Sequence, residues 1–245
     1  MDKSYQMRKL LDFFAGKRTR LETENVASMT VHQFAESLGN AIDAKDHYTC
    51  SHSEEVAVVA QMLAVELGLP DRECELLHIA GHLHDIGKIG LPDSILKKEG
   101  RLTADEYEMV KKHPGMGADI VKPVVSVSGL DQITGIILHH HERYDGGGYP
   151  YGLKGDQIPF GARLIAVADT LSAMASNRPY RKALEFKKIV EEIKKCSGSQ
   201  FDPLVVEAFL DCSEQIEEYF AGSPTLVEEF GPDRKAFSEQ VRVMS

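Results

Sequence analysis

Tryptophan is absent from this chain, and its four cysteines, Cys50, Cys74, Cys196 and Cys212, are scattered without a Cys-x-x-Cys spacing. That pattern reads as free thiols in a reducing cytosol rather than as a disulfide framework. Long apolar runs are missing as well. No stretch approaches the ~18 residues that a membrane-spanning helix needs. The first residues, Met1-Asp2-Lys3-Ser4-Tyr5, lead into Lys9, Asp12 and Lys17 without an apolar core, so no secretory signal is expected. Positive charge is in deficit: 28 Lys and Arg against 38 Asp and Glu give a net charge of −10. A basic face for DNA is therefore not expected. An anionic small substrate stays compatible, because bound cations add positive charge that a residue count omits. What remains is a chain of 245 residues, 42% hydrophobic and 27% charged, the balance of a cytoplasmic globular protein.

The apolar positions recur at helical spacing almost throughout. Val31, Phe34, Ala35, Leu38 and Ile42 form one stripe, and Val56, Val59, Ala60, Leu63 and Leu67 form another, stopped by Gly68 and Pro70. Leu76, Ile79, Ala80 and Leu83 carry a third helix toward Gly87. Thr103 is placed to cap a fourth, with Asp105 and Glu106 in its first turn. Ile133, Ile136 and Ile137 run into a histidine cluster, Ala162 to Met174 reads as a buried helix, and Ile189, Ile193, Val205, Val206 and Phe209 complete the set. The single brief strand candidate is Val124 to Val127. The expected class is all-α. Residues 1–27 read as a charged flanking helix or linker, 28–222 as the domain, and 223–245 as a tail. Gly90–Gly100 and Gly146–Pro159 read as loops.

Ten histidines are present, and several keep company with carboxylates. His84-Asp85 closes the third helix and is followed by Ile86-Gly87-Lys88, with Lys88 four residues after His84 and so on its helical face. A His-Asp dipeptide by itself is as readily a capping or surface feature as a ligand pair. Its company changes that reading. His52 precedes a helix, His113 precedes Pro114, His139-His140-His141-Glu142 ends another helix, and Asp169 stands in the apolar run Ile165-Ala166-Val167-Ala168-Asp169. A carboxylate in an apolar stripe needs a partner. Imidazole with carboxylate suits Fe, Mn, Zn or Ni better than Ca or Mg.

The longer segments resemble the HD-GYP family, a bacterial branch of the HD superfamily of metal-dependent phosphohydrolases. They are Ala41-Ile42-Asp43-Ala44-Lys45-Asp46, Leu83-His84-Asp85-Ile86-Gly87-Lys88-Ile89-Gly90-Leu91-Pro92-Asp93, and His140-His141-Glu142-Arg143-Tyr144-Asp145-Gly146-Gly147-Gly148-Tyr149-Pro150. Ile158-Pro159, Ala162-Arg163, Val167-Ala168-Asp169, Asn177-Arg178-Pro179-Tyr180-Arg181 and Phe201-Asp202-Pro203 extend the match over residues 28 to 210. The resemblance implies an HD-superfamily helical bundle with a Gly-Tyr-Pro loop extension. It implies two divalent ions, iron or manganese, one held by His52, His84, Asp85 and Asp169. The other would take Asp85 as a bridge, with His113, His140 and His141; within the histidine run the pair is chosen by its contact with Glu142. The implied substrate is cyclic di-GMP, opened to pGpG and in some members cut further to GMP, by a hydroxide held between the two ions. Lys88 would steady a phosphate oxygen, and Asp46, Tyr149, Arg178 and Arg181 would contact substrate. The Gly-Tyr-Pro loop would also offer a dock for GGDEF-domain proteins, and a dimer is compatible. Another phosphoester, cyclic GMP-AMP or a guanosine polyphosphate, is the rival substrate, and a catalytically silent nucleotide-binding module is the rival class.

Three departures from the family pattern stand out. Ser51-His52-Ser53-Glu54-Glu55 replaces the usual Gly-His-Ser-Glu-Arg, which takes away a local salt bridge but not the ligand. Ser172 stands where a second aspartate is usual, altering the hydrogen bonds behind the ligands. Tyr48 occupies the place of a carboxylate that serves a third ion in some members, so two ions are expected. His82 and His139 read as neighbours of the ligands.

Overall fold

The computed structural model describes residues 20–46, 51–128, 130–176 and 183–222. By internal packing the chain divides into residues 1–34 and residues 35–245. In the first unit the described element is the start of helix α1, Arg20–Lys45, which runs through the boundary expected at residue 27. Everything that follows concerns the second unit.

Among its described residues all regular elements are helical. After α1 come α2 (His52–Glu66), α3 (Asp71–Leu83), a 3₁₀ turn at Ile86–Gly90 and the short α4 (Asp93–Leu96). Then follow α5 (Ala104–Val110), α6 (His113–Ser128), α7 (Gln132–His139), α8 (Phe160–Ala175), α9 (Phe186–Lys195), α10 (Pro203–Asp211) and α11 (Ser213–Phe220). Among the described residues there is no strand, only an isolated bridge between Ser197 and Phe201. No helix among them is long and apolar enough to cross a membrane. Cys74 and Cys212 are buried free thiols and Cys196 is a half-buried one; Cys50 lies outside the described residues.

Local chemistry sets the helix ends. The Leu69 N–H donates to Ala64 O at 3.0 Å and the Gly68 N–H to Val65 O at 2.9 Å, with Gly68 at φ +67°, so α2 stops where a left-handed residue is cheap. Thr103 caps α5 as expected: its Oγ1 accepts from the Glu106 N–H at 3.3 Å, and the Glu106 carboxylate accepts from the Thr103 N–H at 2.7 Å.

The core lies where α2, α3, α7, α8 and α10 meet. Val56, Val59, Leu63, Ile79, Ile133, Ile137, Leu164, Ile165, Leu171, Val205 and Phe209 are all buried there. Helix α3 lies so close against α2 that a Cβ on Gly81 would stand 2.4 Å from Ala57 Cα. The 124–127 stretch is helical rather than extended: it belongs to α6, which continues through Pro123. Val121 and Val125, one turn apart, are buried while Val124 is exposed, so helical packing against α7 overrides the strand preference of the β-branched run.

Candidate metal centre

Five short stretches of chain bring the imidazoles and carboxylates together, mostly from helix ends. His52 opens α2, His84 and Asp85 follow α3, His113 opens α6, His140 and His141 follow α7, and Asp169 projects from the middle of α8. The ligand-type atoms of His52, His84 and Asp169 lie within 4.8 Å of one another, and so do those of Asp85, His113, His140 and His141. Asp85 stands between the groups. Its Oδ2 is 3.3 Å from His84 Nε2 and 3.9 Å from His52 Nε2, while its Oδ1 is 3.2 Å from His113 Nε2 and 4.0 Å from His140 Nε2. Asp169 Oδ1 closes the first group at 3.3 Å from His52 Nε2 and 4.0 Å from His84 Nε2. In the second, His113 Nε2 and His140 Nε2 are 3.4 Å apart, and the His140 and His141 rings stack at 4.0 Å.

The backs of the rings are tied off. His84 Nδ1 bonds Gly81 O at 2.7 Å, His113 Nδ1 bonds Val110 O at 2.8 Å, and His140 Nδ1 bonds Ile137 O at 2.7 Å. Each acceptor is a helix carbonyl three residues earlier, so each ring must donate from Nδ1 and turn Nε2 inward. The inward Nε2 of His84 is buried with no hydrogen-bond partner, an arrangement that costs free energy unless something coordinates the lone pair. Charge is arranged to match. Burial, together with the neighbouring imidazoles, holds His140 well below the usual histidine range and His141 at about 4, so both keep free lone pairs at neutral pH. Burial would lower His84 too, but Asp85 and Asp169 outweigh it and lift that ring to about 9, so its Nε2 carries a proton at neutral pH that a bound ion must displace. Asp169 and Asp85 are held well below the carboxylate range: burial opposes this, and the His52 and His84 rings at Asp169, with Lys88 and His84 at Asp85, prevail. Five imidazoles and two ionised carboxylates, one with an oxygen toward each group, fit divalent ions of nitrogen and oxygen preference.

Lys88 is positioned differently from the α-helical expectation. The 3₁₀ turn brings residues i and i+3 together, and Lys88 Nζ lies 2.6 Å from Asp85 Oδ2 and 3.4 Å from Asp46 Oδ2 instead of along the face of His84. Burial works against its charge, but Asp85 and Asp46 raise its pKa further, so it stays an ammonium. Tyr149 leans its ring over His141 at 4.8 Å, and burial raises its phenol. Arg178, Arg181 and Tyr48 lie outside the described residues.

Glu142 does not contact His140 or His141 in the way that selected that pair. Its carboxylate accepts the Tyr151 and Leu153 N–H groups at 2.7 and 3.1 Å and approaches His139 Nδ1 at 3.9 Å, so it fastens the Gly-Tyr-Pro loop. His82 Nε2 faces His78 Nε2 at 3.2 Å and Glu54 Oε2 at 3.9 Å, outside both ligand groups.

The sequence reading gives no role to Asp43, Lys45, Arg163 or Asp202, and marks Ser172 only as a change in the hydrogen bonds behind the ligands. Asp43, near the end of α1, accepts from the Ser53 N–H at 3.0 Å and hydroxyl at 2.9 Å, which seats the first turn of α2 and with it His52. Lys45 donates to Ile89 O at 2.7 Å and Leu91 O at 3.0 Å, bracing the turn that carries Asp85 and Lys88. Arg163 on α8 bonds Asp202 at 2.5 Å, and Asp202 in turn accepts the Leu204 N–H at 2.9 Å at the start of α10. Ser172 bonds both His52 Nδ1, at 2.8 Å, and Glu55, at 2.5 Å. Their signal was membership of the recognised segments, or departure from the usual residue at a place within them.

Residues 36–205 match the HD domain family. The chain is 37% identical over 219 residues to the cyclic di-GMP phosphodiesterase response regulator RpfG of Xanthomonas campestris pv. campestris, covering 87% of this chain and 57% of that protein. It is 36% identical over 210 residues to the 3'3'-cGAMP-specific phosphodiesterase 2 of Vibrio cholerae, covering 83% of this chain and 40% of that one. The chain thus spans about half the length of the curated relatives it matches. In structure it resembles a cyclic GMP-AMP specific phosphodiesterase of V. cholerae, with a TM-score of 0.64 at 17% identity over 83% of this chain and 54% of the other. With the family match spanning most of its length, and with the His84-Asp85 and Gly148-Tyr149-Pro150 segments that mark the branch, the chain belongs to the HD domain family, as an HD-GYP member.

Proposed function

We propose that the chain hydrolyses a phosphodiester bond of cyclic di-GMP, giving pGpG or GMP, with two divalent ions, iron or manganese, at the Asp85 centre. The observation that carries this reading is the disposition of Asp85, whose two carboxylate oxygens face two separate imidazole groups. His52, His84, Asp85 and Asp169 would hold one ion, and Asp85, His113, His140 and His141 the other. Ions held there supply Lewis acidity, which activates water near neutral pH and offsets the charge of phosphate oxygens.

The protein's own groups do the rest. The Nδ1 bonds to Gly81, Val110 and Ile137 keep three imidazoles oriented before substrate arrives, so no reorganisation is needed during the reaction. Lys88, kept cationic beside Asp85 and Asp46, donates to a non-bridging phosphate oxygen as charge grows there. Asp46 holds that ammonium in place. Tyr149, leaning over His141, offers a face on which a guanine can stack. Arg178 and Arg181 are proposed to grip phosphate, and the Gly-Tyr-Pro loop to dock GGDEF-domain proteins.

A second reading, hydrolysis of 3'3'-cGAMP, is favoured by the relative of that specificity at nearly equal identity, 36% against 37%. One experiment separates them. Protein loaded anaerobically with Fe²⁺ or Mn²⁺ is given cyclic di-GMP and 3'3'-cGAMP separately, and products are followed by chromatography. pGpG or GMP from the first, lost in Asp85→Ala of unchanged helicity, is the expected result. Faster cleavage of the second moves the assignment to 3'3'-cGAMP. Saturable binding of either nucleotide without product would make the chain a silent binding module, and activity surviving in Asp85→Ala would overturn the metal mechanism.

A further inference from the structure

The two departures from the family pattern closest to the centre turn out to touch. Glu55 lies on the first turn of α2 and Ser172 on the fourth turn of α8, 117 residues apart, and the Ser172 hydroxyl donates to Glu55 Oε2 at 2.5 Å. The same hydroxyl lies 2.8 Å from His52 Nδ1. Ser172 has no exposure to solvent and His52 almost none, so neither can exchange this contact for water. A hydroxyl has one proton. With that proton committed to the carboxylate, the oxygen can only accept from His52, which places the imidazole proton on Nδ1. The other nitrogen, Nε2, faces Asp169 Oδ1 at 3.3 Å and Asp85 Oδ2 at 3.9 Å and is the one left to give its lone pair to an ion.

At the other three backed rings a helix carbonyl three residues earlier performs this task. At His52, the first residue of α2, the partner of Nδ1 is instead a side chain, and two residues act in series. From this arrangement we infer that Glu55 is a positioning residue for the metal centre, acting through Ser172 to hold His52 with its Nε2 lone pair toward the ion. Glu55 itself touches neither ligand atom nor substrate. The resemblance implies an arginine at residue 55 and an aspartate at residue 172; here the carboxylate stands on α2 and a hydroxyl on α8 relays it.

The inference rests on the metal reading proposed above, and its test separates the two. In metal-free protein, ¹⁵N–¹H long-range correlation of the histidine side chains is expected to show His52 protonated at Nδ1. In Ser172→Ala that preference is lost. Mn²⁺ titrated alone, with free ion counted by electron paramagnetic resonance, is expected to bind one site ~10–100-fold more weakly in Glu55→Ala and in Ser172→Ala, with helicity unchanged. The double variant should be no weaker than either single, because both act through one chain of bonds. Glu55→Gln, which keeps an acceptor oxygen, should stay within a few fold of the parent. Ser172→Asp alone sets two carboxylates against each other and should bind worst, whereas Glu55→Arg with Ser172→Asp should recover affinity. Unchanged Mn²⁺ affinity in Glu55→Ala, or additive losses in the double variant, would overturn the inference and leave the metal reading standing. A parent protein that binds no Mn²⁺ but shows His52 protonated at Nδ1 would overturn the metal reading instead.

Discussion

Lys88 brings an ammonium to within 2.6 Å of one oxygen of the Asp85 carboxylate, held from behind by Asp46 at 3.4 Å. That pairing makes a sharp prediction at the scale of one residue. Removing a single donor that stabilises developing charge costs a hydrolytic site ~10²–10³-fold in kcat. Lys88→Ala is therefore expected to lower kcat by about that factor while two ions per chain are retained, measured by steady-state kinetics beside metal analysis. A kcat within threefold of the parent would remove Lys88 from the role. At this scale the sequence was legible wherever chemistry resides in residue type: His52, His84, His113, His140, His141, Asp85 and Asp169 were all marked as ligand candidates before their distances were known. The relay of Glu55 and Ser172 was not legible as a contact. Its members stand 117 residues apart, and each registered only as a departure from pattern. Glu142 shows the opposite failure. Adjacency in sequence suggested that it serves the neighbouring ligands, whereas its carboxylate turns away to two loop N–H groups.

At the scale of elements, hydrophobic period located most of the helices, because each buries one stripe against the α2, α3 and α8 core. Period carried no information about the turn after α3, where an α-helical register was expected and a 3₁₀ turn is found. The reason is packing. A Cβ on Gly87 would lie 1.9 Å from His113 O and 2.5 Å from Gly117 N, so backbone of the turn rests directly on backbone of α6. This approach sets Asp85 and His113 within 3.2 Å of each other. Gly87→Ala must push the turn away from α6, since the atoms it meets belong to backbone and cannot swing aside. The expected outcome is loss of the ion shared by Asp85 and His113, with a loss of stability of about 1–3 kcal/mol from overpacking. Metal analysis and denaturant titration check both. An Ala variant that keeps two ions and its parent's midpoint would mean the turn can shift without disturbing the centre.

At the scale of the whole molecule, the ligand set reads as a fastening. It draws on α2, the end of α3, α6, the end of α7 and α8, from residue 52 to residue 169. In the metal-free state these segments bring together buried imidazoles, one of them with an unpartnered nitrogen, and two carboxylates held ionised by their neighbours. An ion that binds the folded chain and not the unfolded one adds stability by mass action, ~2.7 kcal/mol at a hundredfold excess over its dissociation constant. For a domain of this size that corresponds to a rise in Tm of roughly 5–10 °C. Scanning calorimetry of chelator-stripped protein, repeated with Mn²⁺ restored, should show a shift of that order. In Asp85→Ala the shift should vanish, because one carboxylate serves both groups, whereas Lys88→Ala should keep it. Equal Tm with and without Mn²⁺ in the parent would mean that the clustered side chains are held by the helices alone, and that the centre is a by-product of packing. A shift that survives Asp85→Ala would instead place the stabilising ion on His52, His84 and Asp169, without the bridge.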